Sequence, residues 1–202
     1  MKMKSSQILL GTFLVLLINV CAEAQSIQPG IKFGLNLASI YGDDTEGNKM
    51  KGGILVGGIL HVPISEQFAF QPELLFIQQG TRGEETGTTI SFNNNYLMLP
   101  LMGKIYLSPN FVLEVGPQVG VLLSSKLKGE VNGANASIDS KELFKSLDFG
   151  LNAGLSYESS NGFVVSTRYC LGLTNVLDRE VADVNSKNSA IQVALAYRFL
   201  LE

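Results

Sequence analysis

The chain has 202 residues with 15 Lys and Arg against 18 Asp and Glu, and 16% of it is charged, where a soluble domain averages about 25%. The mildly acidic balance argues against a nucleic-acid partner. The length suits one domain, and no Pro-rich or Ser-rich linker divides it.

Lys2 and Lys4 lead into an apolar run over residues 8–20, and the small-residue triplet Ala22-Glu23-Ala24 follows. This is the layout of a secretory signal peptide cleaved after Ala24, because the run is too short for a spanning helix, which needs about 20 residues. Val20 precedes Cys21, where lipidation would require a small residue, so Cys21 is expected to leave with the signal. The mature chain, residues 25–202, then carries 13 cationic and 17 acidic side chains, once Lys2, Lys4 and Glu23 are removed from 15 and 18. Cys170 remains as its lone cysteine, so no intramolecular disulfide can form.

Eight stretches with period-two alternation follow. The first, residues 29–40, sets Ile31, Phe33, Leu35 and Leu37 against Lys32, Gly34, Asn36 and Ala38. In the second, 51–62, Ile54, Val56, Leu60 and Val62 form the apolar face. The third opposes Phe68, Phe70, Leu74 and Phe76 to Ala69, Gln71, Glu73 and Leu75. The fourth, 96–107, carries Lys104 on its inner face, the fifth Glu114 and the sixth Asp148. In the seventh, Arg168 and Cys170 alternate with Thr167, Tyr169 and Leu171, and the eighth sets Arg198 and Gln192 against Ile191, Val193, Leu195 and Tyr197.

Connections at 63–67, 108–110 and 159–162 are short and rich in Pro, Ser, Asn and Gly. Those at 41–50, 81–95, 124–146 and 175–188 are long and charged, and Asn132-Gly133 is a hairpin-turn signal within the third. This asymmetry predicts an all-β fold: an eight-stranded antiparallel up-and-down transmembrane β-barrel with short periplasmic turns and long extracellular loops. A soluble calyx would turn the apolar face inward instead. The polar face carries about one charge per strand and is otherwise Gly, Ala, Ser, Asn and Gln, which suits a crowded lumen better than a solvated surface. Aromatics near strand ends (Phe68, Phe111, Tyr157, Phe163, Tyr197 and Phe199) fit an interfacial girdle.

The lumen-facing charges Lys32, Glu73, Lys104, Glu114, Asp148, Arg168 and Arg198 are expected to interlock as a plug, because an eight-stranded interior is just wide enough for side chains. His61 falls near the periplasmic end, away from the rim where a barrel enzyme would hold its base, and Cys170 reads as a small buried filler. Asp43, Asp44 and Glu46 lack the alternate spacing of a calcium loop, and no CxxC, HExxH or phosphate-cradling glycine motif occurs. The chain therefore reads as a non-enzyme without cofactor or metal. Its candidate partner-binding residues are Lys126, Lys128, Glu130, Asn132 and Asp139 of the third long connection. A small-solute pore or transporter is the alternative.

Several segments carry a family resemblance: PGIKFGLNLA (29–38), YLMLPLMGKIYL (96–107), VGPQVGVLLS (115–124), RYCLGLTNV (168–176) and the closing AYRF (196–199). With these the mature chain resembles the Bacteroidetes outer-membrane β-barrel family that includes PorT-like proteins. The resemblance implies an integral outer-membrane protein of a Gram-negative bacterium, in contact with outer-membrane lipid and inserted by the barrel-assembly machinery. Some relatives are associated with protein secretion or gliding machinery; the long charged loops of this chain are expected to bind an envelope or surface partner. Two residues follow Phe199 and Leu200, so the terminal aromatic of assembly signals is displaced from the very end.

Overall fold

A computed structural model of the chain describes residues 27–42, 49–85, 88–131, 134–176 and 185–200. The signal segment, Cys21, Asp43, Asp44, Glu46 and the Asn132-Gly133 pair lie outside the described residues, as does most of the connection at 175–188.

The strands are β1 (Gln28–Gly42), β2 (Lys49–Pro63), β3 (Phe68–Glu85), β4 (Thr88–Tyr106), β5 (Phe111–Val131), β6 (Ala134–Asp139), β7 (Leu147–Glu158), β8 (Phe163–Gly172) and β9 (Ser186–Arg198). Every pairing is antiparallel, in the order β4-β3-β2-β1-β9-β8-β7-β5-β6, and an added β4–β5 pairing closes the ring. With β6 set aside as an outer appendage of β5, the wall is the expected barrel of eight strands. Closure leaves no open edge in the wall, as a hydrocarbon environment demands.

The predicted faces are the observed ones. Ile31, Phe33 and Leu35 are 55–59% exposed on the outside, whereas the alternate Lys32 and Asn36 are buried in the lumen. The same alternation runs through β7, β8 and β9. The apolar face is thus the outer one, which excludes the calyx, whose apolar face would be sealed from solvent. At the rim of the short turns, Phe111 meets Tyr157 edge-on at 5.3 Å, and Tyr197 contacts both Phe163 (4.9 Å) and Phe199 (5.5 Å). These rings belong to the girdle read from the sequence. The turns are held by backbone bonds such as Leu107 N–H to the Phe111 carbonyl and Ser159 N–H to the Phe163 carbonyl. In the last of them Gly162 has φ +90°, a conformation that a side chain resists.

Two of the connections read as loops are largely strand. β3, β4 and β5 run for 18, 19 and 21 residues, about twice the 9–11 that cross a bilayer, so residues 81–85, 88–95 and 124–131 continue the sheet outward. There the inward Thr81, Asn94 and Ser125 are buried but polar, like their outward neighbours Arg82, Asn93 and Ser124, so the ladder persists without the alternation of hydropathy that marks a strand in sequence. The expected hairpin in the third connection is present: β6 pairs with β5 from Lys126↔Asp139 to Val131↔Ala134.

Candidate functional site

Four cations and three carboxylates form one alternating chain across the periplasmic half of the lumen. Arg168 donates from Nη1 to Glu73 Oε2 (3.1 Å) and from Nη2 to Glu73 Oε1 (2.9 Å), and Nη2 also reaches Glu114 Oε2 at 2.8 Å. Lys32 donates to both oxygens of Glu73 at 3.3 Å, and the Gln71 amide adds a bond of 2.8 Å. Lys104 joins Glu114 (3.3 Å) to Glu158 (2.6 Å), and Arg198 closes the series on Glu158 Oε2 at 2.9 Å. The Tyr106 hydroxyl donates to that same oxygen at 2.9 Å and lies 3.4 Å from His61 Nε2.

Strand register builds this cluster. Lys104 of β4 pairs with Glu114 of β5, Glu114 pairs with Gly154 of β7, and Gly154 pairs with Arg168 of β8. A Cβ on Gly154 would collide with the Thr167 carbonyl and the Arg168 backbone, so glycine is what lets β8 approach and the guanidinium turn into the lumen. No member of the chain is more than 8% exposed, so each charge has exchanged water for its partners. Such a network is costly to assemble and more costly to break, because removing one member strands another.

The sequence reading needs two corrections. Asp148 does not join the network; its carboxylate accepts from the Thr174 hydroxyl (3.0 Å) and the Asn188 amide (2.7 Å) nearer the extracellular side. Glu158 takes that place. It was missed because it lies beside the Ser159 turn, although it continues the inward series of Asn152 and Ser156 and could have been read by extending the alternation one step. The contrast sets an expected result: Glu158→Gln lowers stability by about 2–3 kcal/mol, since two cations lose their shared carboxylate, whereas Asp148→Asn costs about 1 kcal/mol or less. Urea midpoints of the two variants in lipid vesicles check this ordering.

The second correction concerns the plug itself. Paired charges fill only the periplasmic half; above them Leu55, Leu75, Ile77, Tyr96, Met98 and Leu122 form a buried apolar layer. Leu55, Ile77, Tyr96 and Leu122 are successive register partners across β2 to β5, a single rung of inward side chains. Phe144, just after the 3-10 turn Lys141–Leu143, caps the layer with Val176 and stacks edge-on against Phe92 at 5.4 Å. The available signal was apolar character on both faces at Ile54-Leu55-Val56 and Leu74-Leu75-Phe76-Ile77.

Cys170 is buried against Ala38 and Ala190, in keeping with a filler. Among the described residues no three His, Cys, Asp or Glu side chains gather as a metal site. Of the candidate partner residues, Lys126, Lys128 and Asp139 are exposed on the projecting hairpin; the Glu130 side chain and Asn132 lie outside the described residues. Lys126 and Asp139 are register partners there, and Asp139 Oδ1 accepts the Lys141 backbone N–H at 2.9 Å.

Solved structures share this architecture. Ail, the attachment invasion locus protein of Yersinia pestis, superposes with a TM-score of 0.53 at 16% identity, covering 87% of this chain and 100% of its own. Neisserial surface protein A gives a TM-score of 0.52 at 9% identity, over 85% of this chain and 97% of its own. At such identities the likeness is one of fold. No curated protein matches the chain. The family described as outer membrane protein beta-barrel domain matches residues 23–178, more than half of the sequence. With an apolar exterior, a closed wall and a filled lumen, the chain belongs to this family of outer-membrane β-barrels and resides in the outer membrane of a Gram-negative bacterium.

Proposed function

We propose that this protein is a non-enzymatic outer-membrane barrel whose extracellular β5–β6 hairpin binds an envelope or cell-surface protein. The observation that carries the reading is the projection: β3, β4 and β5 extend well past the length a membrane requires, and β6 is added to them without contributing to the wall. Among the described residues β6 pairs only with β5, so its other edge presents ladder groups to which an extended partner segment can add as a strand. Asp139 lies on that edge strand and Lys126 and Lys128 on the adjoining β5, and these charges would set the charge preference of the partner. The segments resembling PorT-like proteins favour an envelope component, a secretion component among them. A lumen filled by both charge and apolar side chains favours this reading over a solute pore.

Deleting residues 128–139 tests it. The deletion removes β6 and the hairpin tip but retains Phe144 and the Ser125–Ser140 hydroxyl bond (2.8 Å) at the base. The barrel is expected to insert and keep its heat resistance nearly intact, while crosslinking from native outer membranes no longer captures the partner seen with the full chain. A variant that cannot insert would make the hairpin structural. One that folds and still captures the same partner would move the interface to the connection at 175–188.

A further inference from the structure

The chain holds one histidine, and it is buried near the periplasmic end of the lumen. His61 lies two residues before Pro63 at the end of β2, pairs in register with Gln28, and is 3% exposed. Its ring stands edge-on to Tyr106, 6.4 Å between centroids, with Nε2 3.4 Å from the phenolic oxygen. The Tyr106 hydroxyl gives its proton to Glu158 Oε2 at 2.9 Å, so Nε2 is the donor in the contact with Tyr106 and Nδ1 carries the lone pair. Nδ1 is buried and has no hydrogen-bond partner.

The surroundings of the ring are short of acceptors. Lys104 and Tyr106 of β4, Gln71 of β3, Glu158 of β7 and Arg198 of β9 face the imidazole. Glu158 is the one carboxylate among them, and it already holds Lys104 at 2.6 Å, Arg198 at 2.9 Å and the Tyr106 hydroxyl. Gln71 offers only a neutral amide oxygen. A proton on Nδ1 would add a cation to a cluster that already has four cations and three carboxylates, and it would have to draw Glu158 away from its present partners. An unfolded chain takes up the same proton without hindrance at about pH 6.5.

We propose that His61 is an acid-sensitive latch on the periplasmic mouth of the barrel. With His61 neutral, Tyr106, Glu158 and Arg198 tie the periplasmic ends of β4, β7 and β9 together across the lumen. With His61 protonated, Glu158 leaves Tyr106 and Arg198, and these strand ends loosen. No other side-chain type in the chain ordinarily changes charge between pH 5 and 8, so the switch rests on this residue. The latch is at the opposite end from the β5–β6 hairpin, so acid acts on the barrel and leaves the proposed partner site in place.

The test uses the full-length barrel folded in phosphatidylcholine vesicles. Between about pH 7.5 and pH 5.5 the unfolding constant in urea is expected to rise about tenfold, because the unfolded chain binds one proton that the folded barrel resists. His61→Gln keeps a donor for Tyr106 and does not titrate, so its unfolding constant should change less than about twofold over the same range. Hydrogen exchange read by mass spectrometry, corrected for its intrinsic pH dependence, should quicken at residues 58–63 and 103–110 of the acidified wild type and stay unchanged in β6. A wild type without pH dependence, or a His61→Gln variant that keeps it, would overturn the proposal, as would exchange that quickens equally in β6. Should His61→Gln fail to fold, the ring signals of isotope-labelled histidine in the wild type decide. A ring that stays neutral until exchange at the periplasmic strand ends quickens supports the latch; a ring that titrates like a free histidine, with exchange unchanged, removes it.

Discussion

Arg168→Ala is expected to lower the unfolding free energy of the barrel by about 3–5 kcal/mol, the cost of breaking a buried ion network on one side only. The guanidinium serves Glu73 and Glu114 together, through three bonds of 2.8–3.1 Å. Alanine leaves both carboxylates in a closed lumen with only Lys32 and Lys104 nearby, each at 3.3 Å. Adding Lys104→Ala removes the last cation on Glu114 and also half of the support of Glu158, so the double variant should lose more, though less than the sum because the two sites share a partner. Urea unfolding in vesicles, read from gel mobility, measures both. A companion variant with Lys32→Met, Arg168→Met, Glu73→Gln and Glu114→Gln should recover much of the loss, because Lys104 and Arg198 keep Glu158 and no other buried charge of the network remains. An Arg168→Ala barrel within about 0.5 kcal/mol of the wild type would mean that water enters the lumen freely and that the network is solvated.

In planar bilayers the wild-type protein is expected to give no stable open channel, and the Lys104→Ala/Arg168→Ala variant is expected to remain closed as well. The second result distinguishes the observed lumen from one plugged by charge alone. An ion passing the weakened charged layer would still meet Leu55, Leu75, Ile77, Tyr96, Met98 and Leu122, whose inward side chains are 0–2% exposed under the cap of Phe144. A constriction of that kind excludes ions by refusing water. Combining the double variant with Leu75→Ala and Phe144→Ala opens both layers, and conductance is expected only then. Large, reproducible conductance steps from the wild type would overturn the closed-lumen description.

The expected consequences of the hairpin deletion and of the network variants are separable in space. The outer end of β5 (128–131) and β6 lie beyond the membrane, whereas the network lies between β1, β3, β4, β5, β7, β8 and β9 in the periplasmic half. A loss of partner binding with unchanged stability, and a loss of stability with unchanged partner binding, should therefore be found in different variants.

By itself the sequence determined the strand number, the outward face of each strand, the short periplasmic turns and the inward placement of Lys32, Glu73, Lys104, Glu114, Arg168 and Arg198. It could do so because side chains alternate across a strand with period two, so hydropathy along the chain reports directly on what each face touches. The hairpin at β5–β6 was legible for a related reason, the turn chemistry of Asn132-Gly133. The extracellular lengths of β3, β4 and β5 were not legible, because their buried inward positions, among them Thr81, Asn94 and Ser125, are as polar as the outward ones and hydropathy carries no alternation there. Which charge meets which was decided only by the tertiary structure. Glu158 and Asp148 both point inward on β7, ten positions apart in number, yet register puts the first beside Lys104 and Arg198 and the second beside Thr174 and Asn188. The apolar layer needed the same information: Leu55, Ile77, Tyr96 and Leu122 come from four strands and become one rung only when the ring closes at a particular stagger. Period two fixes the direction of a side chain, but its height in the lumen depends on strand register and shear, which are properties of the closed barrel and of no single segment.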